Sequence, residues 1–296
     1  MRSGIDGEDL MCRTEVLQFD KEKARETFLA YASGYDLSDV KVKLKVDHTL
    51  RVAQLCERIA DSLAKQCCER AHEQIPVGGC EGSFREADDL ADRNLAWMCG
   101  LLHDIGRFEQ LRIYHTFRDA VSVDHAQLSA DLLFKDGMIR SFLADDGQDA
   151  LIEKAIRLHN AFLLPETLTL QERTLCQILR DADKIDILRV NRETPMTQIY
   201  DLPEEAFLTA GISEEVFEDI LAHSNVNRVH SKTAIDFLMG HIAFVFGLVY
   251  PESFRIVKQQ GYLDQMLAFE SRNEKTRRQM QQVREEVYGY IREKGC

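Results

Sequence analysis

Apolar residues recur three and four positions apart through most of this 296-residue chain, and strict alternation of apolar and polar residues is almost absent. A chain with that period buries one face of each segment as a helix and offers no half-buried strand to pair. The pattern predicts an all-α protein with helices over 41–69, 93–105, 121–135, 149–160, 171–190, 230–249 and 262–292. Pro76, Gly78, Gly79 and Gly82 read as a surface loop within 72–92, and Thr169 is placed to cap the helix that contains Leu175. Gly106 is placed to end the 93–105 helix in a left-handed conformation. Three parts are expected: a helical extension over 1–40, a core over 41–190, and a C-terminal helical region over 191–296 packed on the core, entered through a connection at 191–211.

The stripes carry polar groups where leucines would serve. His48, Val52, Leu55 and Ile59 share one helical face, as do Val121, His125, Leu128 and Leu132, and Ile152, Ile156 and His159. Asp183 replaces an apolar residue in the stripe Cys176, Leu179, Asp183, Ile187, and the stripe Leu95, Met98, Leu102 runs into His103 and Asp104. A lone histidine on an apolar face is usually a hydrogen-bonded core residue. A buried carboxylate, however, costs several kcal/mol unless a partner or a metal ion compensates it. Four imidazoles and two carboxylates directed inward from separate helices suit a shared cation centre, with Asp104 or Asp183 able to bridge two ions.

A net charge of −13 and a pI near 5.2 repel polyanions, so broad electrostatic binding of long nucleic acid is not expected. The eight cysteines (Cys12, Cys56, Cys67, Cys68, Cys80, Cys99, Cys176, Cys296) have no CxxC spacing and read as reduced thiols of a cytoplasmic protein. The N-terminal "MRSGIDGEDLMCRTEV" lacks the apolar run of a signal peptide. The most apolar segment, 234–250, is too short for a membrane span, carries Asp236 and His241, and reads as a buried helix.

The order His, HisAsp, His, His, Asp resembles the HD-domain superfamily of metal-dependent phosphohydrolases, whose pattern is H…HD…D on an all-helical core. "VDHTLRVAQL", "LLHDIGRFEQ" and "RDADKIDILR" carry the likeness, which covers roughly 41–190. It implies that His48, His103, Asp104 and Asp183 hold one metal, and that His125 and His159 add a second ion bridged by Asp104. The branch that cleaves cyclic dinucleotides has a GYP signature after paired histidines. Here Asn160 stands in the place of the second histidine, Arg107 in the place of that branch's lysine, and no GYP follows.

The resemblance implies a phosphohydrolase that cleaves a phosphate monoester or a small, nucleotide-like phosphodiester with a metal-activated water. The cofactors would be divalent transition ions, two of them, with Fe, Mn, Co, Ni and Zn all suited to nitrogen and oxygen ligands. Asp104 and Arg107 are the candidate catalytic residues. Arg107, Lys184, His115 and Arg118 are candidates for contacting the substrate, and Asp186 for orienting a ligand from behind. His72, His223, His230 and His241 read as structural or surface groups. A di-iron oxygenase acting on a polyol or phosphonate, and a ligand-sensing module without catalysis, are the alternative readings.

Overall fold

In the computed structural model, which describes residues 17–73, 92–195, 197 and 202–294 without the side chains of 67–73, the described residues form helices and turns and no strand. The 72–92 loop residues Pro76, Gly78, Gly79 and Gly82, the side chain of His72, and Cys12, Cys67, Cys68, Cys80 and Cys296 fall outside that description. Cys56, Cys99 and Cys176 are free and buried.

Helix α1 (Lys21–Ala32) leads into the long α2 (Val40–Glu73), followed by α3 (Arg93–Leu102), α4 (Gly106–Tyr114), α5 (His125–Ala130), α6 (Asp149–Leu158) and α7 (Leu170–Glu193). Helix α2 packs against α3 and α7, α5 lies between α4 and α6, and α6 closes onto α3 and α7. The stripes read from the sequence supply this core: Val52, Ile59, Met98, Leu102, Ile152, Ile156, Cys176 and Leu179 are fully buried. Thr169 caps α7 in a reciprocal pair, accepting from the Glu172 N–H at 3.2 Å while the Glu172 carboxylate accepts from the Thr169 N–H at 2.8 Å.

Two glycines fix the segment between α3 and α4. A Cβ on Gly100 would lie 2.6 Å from Ala53 Cα, so only glycine lets α3 touch the α2 backbone. A Cβ on Gly106 would lie 2.6 Å from the Ser129 backbone nitrogen, and the Gly106 N–H donates to Ser129 Oγ at 2.9 Å. Gly106 therefore does not end a helix in a left-handed conformation: positive-φ glycines among the described residues are Gly137 and Gly261, and Gly106 begins α4. The expected 93–105 helix stops at Leu102, and residues 103–105 form a right-handed turn directly joined to α4.

The 121–135 helix is likewise shorter than its apolar period suggests. Val121 is 63% exposed at the end of a 3₁₀ turn, Asp124 caps α5 by accepting from the Ala126 and Gln127 N–H groups, and a π turn covers Asp131–Lys135. Beyond α7 follow α8 (Glu204–Thr209), α9 (Glu214–Leu221), α10 (Ala234–Ile242), α11 (Pro251–Gln260), α12 (Tyr262–Leu267) and α13 (Glu274–Glu293). The expected 230–249 helix is α10 continued by a 3₁₀ turn over Ala243–Gly247, with His230 in a separate turn. The expected 262–292 helix divides into α12 and α13, because Asn273 accepts from the Thr276 N–H and starts a new helix.

Helices α10, α11 and α12 pack on α7, and apolar burial runs unbroken from Leu17 to Val287. At this junction the buried Asp181 accepts from the backbone N–H groups of Val249 and Tyr250 (3.0 and 3.2 Å) and from Ser253 Oγ (2.7 Å). One carboxylate on α7 thereby fixes the backbone that leads into α11.

Candidate metal centre

Six side chains converge between α2, α3, α5, α6 and α7. His48 sits in the third turn of α2, His103 and Asp104 in the turn after α3, His125 at the first position of α5, His159 just past α6, and Asp183 in the middle of α7. His48, His103, Asp104, His125 and His159 are all buried.

The two oxygens of Asp104 face different pairs of imidazoles. Oδ2 lies 3.6 Å from Nε2 of both His48 and His103, while Oδ1 lies 3.6 Å from His125 Nε2 and 3.9 Å from His159 Nε2. Asp183 Oδ1 joins the first pair, 3.2 Å from His48 Nε2 and 3.7 Å from His103 Nε2. With metal–ligand bonds of about 2.1 Å, neighbouring ligands in octahedral and tetrahedral shells lie about 3.0 and 3.4 Å apart. The observed separations, 3.2 to 3.9 Å, lie around the tetrahedral value and above the octahedral one.

Each ring is aimed by its other nitrogen. His48 Nδ1 pairs with Asp186 Oδ2 at 2.7 Å and His125 Nδ1 with Asp119 Oδ2 at 2.6 Å. His103 Nδ1 meets the Gly100 carbonyl at 2.8 Å and His159 Nδ1 the Ile156 carbonyl at 2.7 Å. All four partners are acceptors, so the network places each ring proton on Nδ1 and leaves a lone pair on Nε2. His48 Nε2, His103 Nε2 and Asp104 Oδ1 are buried without a hydrogen-bond partner, and the lone pairs of His125 and His159 oppose each other across 3.0 Å. Buried orphan acceptors are costly. A cation between them relieves each one, so this donor set fits divalent metal.

Charges behind the ligands tune the site. Burial opposes ionisation of Asp104, but Lys45, then His103, Arg107 and His125, hold its carboxyl well below the usual carboxylate range. Asp183 is held well below that range too, against burial, by His103 and His48. Burial and Lys45 work against protonation of His48, yet its contacts with Asp183 and Asp186 raise its pKa. Burial and Arg107 lower His125, and burial with the neighbouring His125 and His103 rings brings His159 down to about 3.

The other candidates stand outside the six converging groups. Arg107 Nη1 donates to Gln110 Oε1, the Phe117 carbonyl and Asp119 Oδ1 at 2.6 to 2.8 Å, so its guanidinium braces the Asp119 that aims His125. Lys184 Nζ donates to the Gly247 carbonyl at 3.3 Å, on the side of the C-terminal helices, where burial lowers its pKa to about 8. His115 and Arg118 are exposed, with His115 closing α4 in a left-handed conformation at φ 56°. Asp186 stands behind His48 and is clamped by Arg51 through Nε at 2.6 Å and Nη2 at 3.0 Å.

Sequence reasoning missed Lys45, Asp119 and Arg180. Lys45 Nζ donates to Asp104 Oδ2 at 2.6 Å. The buried Arg180 donates to the carbonyls of Leu158, His159, Ala161 and Phe162, capping the end of α6 at the point where His159 turns inward. Lys45 had a signal available, because it lies three residues before His48 on the same helix face. Asp119 lies between helices and has no period to betray it.

Residues 46–188 match the family model of the HD domain. The chain carries an HD domain. The match spans α2 to α7 and contains all six converging residues. No curated protein and no solved structure matches the chain. No helix among the described residues is long and apolar enough to cross a membrane.

Proposed function

We propose that this HD-domain protein is a metal-dependent phosphohydrolase that cleaves a phosphate monoester or a small, nucleotide-like phosphodiester with a metal-activated water. The observation that carries the reading is the division of Asp104 between two imidazole pairs, which provides for two ions bridged by one carboxylate. His48, His103, Asp104 and Asp183 would hold one ion, and Asp104, His125 and His159 the other. When bound, two dications supply a water of lowered pKa and positive charge beside the attacking and leaving oxygens.

The protein's own part is positional. Asp186 and Asp119 hold their histidines in the metal-binding tautomer, Arg51 and Arg107 hold those carboxylates, and the apolar helices around them exclude bulk water. The acidic surface disfavours long polyanions, which supports a small substrate. Three unpaired buried thiols support a cytoplasmic location.

The test is elemental analysis of protein purified without chelator, followed by a panel of phosphate monoesters and diesters. The expected result is transition metal approaching two equivalents, with phosphate or nucleotide release that falls at least about a hundredfold in Asp104→Asn. A metal-loaded protein inactive on the whole panel refutes the reading. Oxygen uptake by iron-loaded protein with a polyol or phosphonate would replace it with oxygenase chemistry.

A further inference from the structure

Lys45 lies one helical turn before His48, and its Nζ stands 2.6 Å from Asp104 Oδ2. That oxygen is the one facing His48 and His103, each 3.6 Å away, so an ammonium holds the atom that the first cation site needs. We propose that Lys45 is the anion anchor of this centre: its ammonium neutralises Asp104 in the metal-free protein and turns to an anionic oxygen of the substrate once cations are bound. The assignment rests on the phosphohydrolase reading.

Charge favours the move. An ammonium and a dication repel each other, so a cation bound at the same carboxylate oxygen weakens the hold of that oxygen on the lysine. Exposure gives the direction. The side chains of Lys45 and Asp183 are 14% and 17% exposed, whereas those of His48, His103, Asp104, His125 and His159 are at most 5% exposed. Lys45 and Asp183 therefore border solvent, and an ammonium leaving Asp104 remains within reach of whatever approaches there.

The chemistry of the neighbours selects Lys45 over the other nearby cation. Arg107 Nε is 3.6 Å from Asp104 Oδ1, but its Nη1 is fastened to Gln110, Phe117 and Asp119. Lys45 has a four-carbon stem, this one hydrogen bond to Asp104, and the Phe117 ring 5.6 Å from its Nζ. A flexible stem beside an aromatic face lets the point charge pivot without losing all its stabilisation. A phosphate oxygen is the natural new partner for it.

Lys45→Met and Lys45→Arg test the assignment, with circular dichroism as the control for folding. Mn(II) affinity is measured by competition with a fluorescent chelator, and inorganic phosphate affinity by calorimetry on the Mn(II)-loaded protein. Removing the competing ammonium should tighten Mn(II) binding in Lys45→Met by about tenfold and weaken phosphate binding by about tenfold or more, the size of one charge-assisted hydrogen bond. Lys45→Arg should restore phosphate binding. Weaker Mn(II) binding in Lys45→Met would make the lysine a prop for Asp104 and overturn the proposal. Equal phosphate affinity in wild type and Lys45→Met overturns the anchor alone. A wild-type protein that takes up Mn(II) but binds no phosphate removes the phosphohydrolase reading and the anchor together.

Discussion

Asp119→Asn and Asp119→Ala should affect metal binding and stability in opposite orders. Asp119 uses Oδ2 to accept from His125 Nδ1 at 2.6 Å, and Oδ1 to accept from Arg107 Nη1 at 2.8 Å and Gln110 Nε2 at 3.0 Å. Asparagine has the same shape but only one acceptor oxygen. Two fixed donors, one of them charged, claim that oxygen, which turns the amide NH₂ toward His125. The ring must then accept at Nδ1 and carry its proton on Nε2, the atom that faces Asp104. The lone pair that would bind metal is gone. Alanine leaves His125 free to keep its Nδ1 proton with water as partner.

Loss of a residue behind a metal-ligating histidine costs about 10- to 100-fold in metal affinity. Asp119→Ala belongs at the lower end and Asp119→Asn at or beyond the upper end, a further difference of about 1.4 kcal/mol or more. Folding runs the other way. Asparagine still satisfies Arg107 and Gln110, whereas alanine strips an acceptor from both and should cost the metal-free protein about 1–3 kcal/mol. Calorimetric Mn(II) titration and urea denaturation of the metal-free variants measure the two orders. Wild-type affinity for both ions in Asp119→Asn, or greater metal loss in Asp119→Ala, refutes the tautomer argument.

Two further outcomes follow from the same geometry. Gly106→Ala pushes a methyl group to 2.6 Å from the Ser129 backbone nitrogen, so α5 must move away from α4 and carry His125 with it; a loss of about 2 kcal/mol or more, together with a metal equivalent, is expected, and a stable, fully loaded variant contradicts it. The metal-free protein should be most stable near pH 6.5. His48 has a raised pKa, so its contribution is complete below about 6.5 and fades as pH rises. Burial holds His159 near 3 and His241 near 4, so their contribution fades as pH falls from about 6.5 toward 4. Urea midpoints measured from pH 4 to 8 check this, and a flat profile refutes it.

The convergence of the six polar groups was legible because His48 and Asp183 occupy slots on helical stripes and His103, Asp104 and His159 directly follow one, so the stripe tells which way the side chains point. Helix ends were less legible. The breaks at 103–105 and 131–135 contain no proline and are set by contacts between helices, such as Gly106 against Ser129, that no local pattern encodes. The groups behind the ligands were least legible. Asp119 acts across a turn on His125, Gln110 and Arg107, and Arg180 acts on backbone carbonyls, so both look like ordinary surface charges until the chain is folded. Lys184 illustrates the converse: proximity in sequence to Asp183 suggested a role beside substrate, yet one residue is about 100° around a helix, and its ammonium meets Gly247 instead.

On the phosphohydrolase reading, the charges paired around the centre favour one class of phosphoester over the other. Asp104, Asp119, Asp183 and Asp186 face Lys45, Arg51 and Arg107, which leaves one negative charge in excess. Two dications would turn that excess into three positive charges, a large charge for a site enclosed by apolar helices. A phosphate monoester dianion together with a hydroxide cancels all three, whereas a phosphodiester with a hydroxide leaves one uncancelled. On the phosphohydrolase reading, monoesters should therefore lead the phosphoester panel, and faster cleavage of every diester than of its monoester counterpart would show that charge in this pocket is compensated by something other than the substrate.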